Sequence, residues 1–107
     1  MSTTRYDHYG RPQGYINPID IKPEGYLIEN NLNTQYICYF ETGDRPRAIR
    51  RIMVDETGTL QQIAVGWGTW ANRESIDYYP INIVFVVDDE TKALVSVQPQ
   101  VSPVNPI

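Results

Sequence analysis

RAIRRIMV (47–54), DETG (55–58) and TLQQIAV (59–65) read together as a β-hairpin. Both flanks are rich in β-branched and apolar residues, and the four residues between them are turn formers. Gly58 suits the left-handed conformation that a four-residue turn with a bulge requires. This one unit sets the fold class, because nothing around it reads as a long helix.

Further strands lie on either side. Gly25–Glu29 leads into Asn30-Asn31-Leu32-Asn33, whose asparagines tolerate positive φ. Thr34–Glu41 (TQYICYFE) is β-branched and aromatic, and Thr42–Pro46 is a loop. After Pro80 comes Ile81–Val87 (INIVFVV), the most apolar run, which turns through Asp88–Thr91 into Ala93–Gln98. The turn Val54–Leu60 is echoed by Val87–Leu94, the same turn chemistry used twice. Only Gly66–Tyr79 leaves room for one short helix, which Thr69 would cap, or for a structured loop. The expected fold is mainly β, a small antiparallel barrel or sandwich of about five to six strands built from hairpins.

Both ends differ from this centre. Residues 1–24 hold Pro12, Pro18, Pro23, Gly10 and Gly14, so a helix is excluded there. Yet Tyr6, Tyr9, Tyr15, Ile16, Ile19 and Ile21 are too apolar for a solvated tail. The segment reads as an extended arm covered by its own domain or by a neighbouring subunit. The β domain then spans 25–98, and 99–107, with Pro99, Pro103 and Pro106, reads as a Pro-rich tail.

The strands lack a clean polar face. Tyr36, Cys38 and Phe40 share one side of their strand, Ile37 and Tyr39 the other. Along the apolar run, Ile81, Ile83, Phe85 and Val87 face one way, Val84 and Val86 the other. In a chain of 107 residues such two-sided strands need cover, from the arm or from a second copy. A homo-oligomer is the preferred reading, with Tyr6, Tyr9, Tyr15 and Tyr39 as candidate interface residues, since tyrosine combines apolar bulk with a polar tip.

Composition limits the chemistry. Nine Lys+Arg against thirteen Asp+Glu give a net charge of -4, which argues against general binding to nucleic acid or anionic membranes. No window approaches the roughly 18 apolar residues of a membrane helix, and residues 1–20 lack the apolar core of a signal peptide, so the expected compartment is the cytoplasm. With one cysteine, Cys38, and one histidine, His8, neither an intrachain disulfide nor a zinc pattern is expected. Cys38 lies in the apolar run YICYF, where cysteine acts as a small hydrophobe, and no GxSxG, HExxH or phosphate-binding glycine loop occurs. No catalytic residue, metal or cofactor is therefore assigned, and Asp88-Asp89-Glu90 reads as a solvated turn.

The densest polar signal is Arg45, Arg47, Arg50 and Arg51. Strand parity puts Arg45, Arg47 and Arg51 on one side and Arg50 on the other. With Trp67 and Trp70 nearby, Arg47, Arg50 and Arg51 form a candidate site for a nucleotide-like or other anionic ligand. The competing reading is a solvated face paired with Glu41, Asp44, Asp55 and Glu56. Two functions follow: a non-enzymatic β protein acting through self-assembly or contact with another protein, and a binder of small anions.

Overall fold

The computed structural model describes residues 2–12, 27–38 and 45–99, to which the following is confined. Eight strands form: β1 (Thr3–Tyr6), β2 (Leu27–Asn31), β3 (Thr34–Cys38), β4 (Arg47–Val54), β5 (Leu60–Gly68), β6 (Tyr78–Pro80), β7 (Ile83–Asp88) and β8 (Leu94–Pro99). They make two antiparallel sheets. One is a five-stranded meander, β2-β3-β4-β5-β6; the other has three strands in the order β1-β7-β8. The sheets stack and do not close into a barrel. The fold is thus mainly β as expected, with two more strands than the run of apolar segments suggested, the short β1 and β6. Between β5 and β6, where a short helix or a structured loop was expected, lies a loop with one 3-10 turn, Trp70–Asn72. Thr69 occupies its N-cap position without a side-chain capping hydrogen bond.

Turn chemistry builds the hairpins. The Asp55 carboxylate accepts from the Thr57 and Thr59 amides, both at 2.9 Å, and from Thr57 Oγ1 at 2.7 Å. Gly58 follows at φ 86°. In the β7–β8 turn Asp88 does the same work, accepting from the Thr91 amide at 3.0 Å and Thr91 Oγ1 at 2.7 Å. The left-handed position there is Lys92, at φ 62°. Each hairpin also has a register shift beside its turn, between Met53 and Val54 and between Val86 and Val87. The echo in the sequence is a repeated turn.

Cross-strand pairing assigns side chains to faces. Ala48, Arg50, Ile52, Val65 and Trp67 share one face of the meander, because Ala48 pairs with Trp67, Arg50 with Val65 and Ile52 with Ile63. On this inner face Ala48, Val65 and Trp67 pack against Phe85 and Val87 of the three-stranded sheet. Tyr6, Tyr79, Ile81, Ile83, Leu94 and Val97 pack against that core. Fully burying each large apolar side chain contributes about 1.5–3 kcal/mol. The opposite face has its own core of Tyr36, Cys38 and Ile49, covered by Trp70 and Ile76 from the crossing between β5 and β6 and by Tyr78 at the start of β6. Gly66 and Gly68 permit that cover, since a Cβ at Gly66 would lie 2.5 Å from the Asp77 carbonyl oxygen and one at Gly68 2.6 Å from Ile76 Cγ2.

The start of the arm is built into this domain. β1 pairs with β7 along Thr3–Tyr6, and the Asp89 amide donates to the Ser2 carbonyl at 2.9 Å. Asp89 also accepts from the hydroxyls of Ser2 and Thr4. Asp88-Asp89-Glu90 therefore serves as a turn that also fastens β1. Tyr15, Tyr39 and residues 100–107 lie outside the described residues.

Candidate functional site

The five candidate anion-site residues divide between the two sides of the meander. Arg47 and Arg51 lie with Ile49 on the outer face, where Trp70 also packs. Arg50 and Trp67 lie on the inner face. A pocket formed by all five of Arg47, Arg50, Arg51, Trp67 and Trp70 is therefore ruled out by the sheet itself, which stands between them. Trp67 is 9% exposed and donates its Nε1–H to the Lys92 carbonyl at 2.7 Å, so it fills the core. Arg45 precedes β4 and donates to the Glu90 carbonyl at 3.1 Å, away from Arg47 and Arg51.

Arg50 and Arg51 each lie over an aromatic ring, on opposite faces of the sheet. Arg51 lies 4.4 Å from the centre of the Tyr78 ring and donates from Nη2 to Gln62 Oε1 at 2.7 Å. Its Nε is buried with no hydrogen-bond partner. Burial, first, and the nearby Tyr36 raise the Tyr78 hydroxyl well above its ordinary range, so it stays protonated and donates to the Arg73 carbonyl at 2.6 Å. Arg73 in turn grips Glu29 with two bonds of 2.9 and 2.7 Å and stacks 4.7 Å from the Trp70 ring. That hydrogen bonding holds Glu29 below its usual carboxylate range. Glu29 and Arg73 were not marked by any local pattern, since they meet across 44 positions.

On the inner face Arg50 meets the N-terminal segment. Its Nη2 donates to His8 Nδ1, and its guanidinium lies 4.3 Å from the Tyr9 ring centre. Asp7 shapes the turn that presents these residues, accepting from the Tyr9 and Arg11 amides and from Arg11 Nε, all at 2.9 Å. Tyr6 stacks on Trp67 at 5.0 Å, so Tyr6 and Tyr9 contact their own domain. Cys38 lies on the outer face and His8 on the inner, so the sheet separates the chain's one thiol from its one imidazole. No cluster of three or more His, Cys, Asp or Glu forms among the described residues, and no helix among them is long and apolar enough to cross a membrane.

What the sequence did not single out is the end of the meander opposite the Trp67 core. There the β2–β3 turn stands beside the β4–β5 turn, joined by the Val54 amide donating to the Asn33 carbonyl at 2.9 Å. Asn30, Leu32, Asn33, Thr34, Gln35, Ile52 and Val54 line a hollow of about 190 Å³. Ile28 and Leu60, 45% and 53% exposed, flank it, and Leu32 at the turn is 98% exposed with φ 52°. Its backbone geometry is one that glycine or asparagine ordinarily supplies at the first central position of a two-residue hairpin turn. An apolar residue amid three asparagines (NNLN) is the signal that could have marked it.

Comparison of the chain with protein-family models, with curated proteins and with solved structures finds no match to any of them.

Proposed function

We propose that this is a non-enzymatic β protein that works by contact with another protein through the open margin of its five-stranded sheet. The observation that carries the reading is Leu32, an aliphatic side chain held almost wholly in water on a strained turn. A left-handed backbone costs an L-residue about 1–2 kcal/mol, and the isolated chain gains no burial from this side chain in return. Contact with a partner would supply that burial. The neighbouring Ile28 and Leu60 extend the apolar area, and preorganised anchors of this kind carry much of the energy of protein contacts. Photo-crosslinking in the cells that make the protein tests this. A photoreactive residue at position 32 should give an adduct of defined mass, while one at Val95, another exposed apolar site, on β8, should not. Absence of an adduct at 32, or equal labelling at both positions, overturns the reading.

A second reading, binding of a small anion, rests on Arg51. Its buried Nε lacks an acceptor, and the Tyr78 ring and Gln62 hold the guanidinium in place. A phosphate-bearing metabolite at a hundredfold excess over its dissociation constant would stabilise the fold by about 2.7 kcal/mol. That stabilisation should vanish in Arg51→Ala. A flat thermal-shift response of the intact protein to such compounds removes this reading.

A further inference from the structure

The knob and the hollow occupy the same patch, and this identifies the partner. We infer that the open margin pairs with a second copy of the chain about a twofold axis, the Leu32 of each copy seated in the hollow of the other. The inference rests on the reading of this margin as a protein contact.

Size is the first argument. Ligand pockets for small molecules occupy about 300–1,000 Å³, and this hollow, at about 190 Å³, suits a single side chain instead. Placement is the second. Leu32 both projects from the turn and lines the rim of the hollow, so one twofold operation makes the two seatings together. Charge is the third. The chain carries a net charge of -4, so two copies repel over most of their surface, yet none of the seven lining residues is charged. Asn30, Asn33, Thr34 and Gln35 instead supply donors and acceptors for a polar rim around the apolar floor of Ile52 and Val54. Rigidity is the fourth. Gln35 Nε2 donates to Asn30 Oδ1 at 2.7 Å across the hairpin, and the Val54–Asn33 bond fixes the turn, so little freedom is lost on pairing. A contact confined to one turn and one hollow would fall at the small end of specific interfaces, below about 1,200 Å² in total, so the dimer should be weak and depend on concentration.

Sedimentation equilibrium on the full chain across the micromolar to millimolar range tests the pairing. The wild type should fit a monomer–dimer equilibrium, and Leu32→Asn should weaken it at least tenfold while leaving the fold intact, because asparagine favours the left-handed turn. Amide shifts that move on dilution should cluster at residues 28–35, 52–54 and 60. A wild type that stays monomeric throughout, or a Leu32→Asn variant that dimerises as well as the wild type, overturns the inference. Failure here is separable from failure of the broader reading. A monomeric chain whose position 32 crosslinks to a different protein removes self-pairing alone, whereas no adduct at position 32 removes both.

Discussion

Two turns in this protein hold a non-glycine residue at positive φ, and they differ in what the strain achieves. Among the described residues these are Lys92, at 62°, and Leu32, at 52°. At Lys92 every part of the residue is employed inside the domain. The amide donates to the Asp88 carbonyl at 2.9 Å, the carbonyl accepts from Trp67 Nε1 at 2.7 Å, and Nζ reaches the Tyr6 hydroxyl at 3.3 Å. The left-handed geometry aims the carbonyl into the core, where it satisfies an indole N–H that would otherwise be buried alone. At Leu32 the side chain is 98% exposed. Strain offset within the fold is architecture; strain with no internal return directs attention to what lies outside it.

The strongest test of the contrast removes the group that justifies Lys92. Trp67→Ala should cost about 3–5 kcal/mol, the range for losing a large buried aromatic side chain. Chemical denaturation reads this directly. A loss below about 1 kcal/mol would mean that the Trp67–Lys92 pairing is not what holds the β7–β8 turn in place.

A smaller effect, of opposite sign, is expected at the other turn. At protein concentrations too low for self-association, Leu32→Asn should raise stability by about 1 kcal/mol, because asparagine tolerates the left-handed region and no packing is lost. Lys92→Asn relieves the same kind of strain but gives up the contact with Tyr6, so its gain should be smaller or absent. Denaturation midpoints of the two variants decide it. Equal gains from both would erase the distinction between the turns. A loss of stability in Leu32→Asn would show that Leu32 already supports the isolated chain.

The sequence made the local devices readable and left the distant ones hidden, for a physical reason. Asp55, Thr57 and Gly58 are a turn within themselves, so the hairpin they form follows from chemistry confined to a few residues. The same holds for Asp88 and Thr91. Strand parity likewise separated Arg50 from Arg47 and Arg51. It failed to separate Trp67 from Trp70 because β5 was expected to stop at Val65, whereas it runs to Gly68 and carries Trp67 to the inner face. β1 and β6 are four and three residues long, too short for alternation to show, and β1 finds its place only by pairing with β7 some 80 positions away. Glu29 and Arg73 meet only once the crossing between β5 and β6 has folded over the outer face. Leu32 passed as one residue of an asparagine-rich turn, because its meaning needed the neighbouring hollow, which two separate hairpins create.

The subtlest expected effect concerns pH, and it divides the inner face between its covered and its open part. Burial, first, and then the positive charge of Arg50 lower the pKa of His8 from 6.5, with Asp7 opposing and Arg11 adding to the shift. Neutral His8 accepts from Arg50 at Nδ1; protonated, it has no lone pair there and faces a like charge. The unfolded chain therefore holds more protons than the folded one once the pH drops to about 6.5, so stability is full above that value and declines as the pH falls through the folded-state pKa of His8. Asp55, Asp88, Asp89 and Glu29, all held low by hydrogen bonds, act in the same direction but at more acid pH. His8→Asn should remove the step nearest neutrality and leave the acid one. In the wild type, NMR titration should place the His8 midpoint below 6.5, with amide shifts at residues 7–10 and 48–50. Residues 30–35 should stay still, because no titratable side chain lines the hollow at that end of the sheet. A His8 midpoint at or above the ordinary value would mean that the imidazole is neither buried nor faced by Arg50 as described, and movement at 30–35 over the same range would mean that the two parts of the face are not independent.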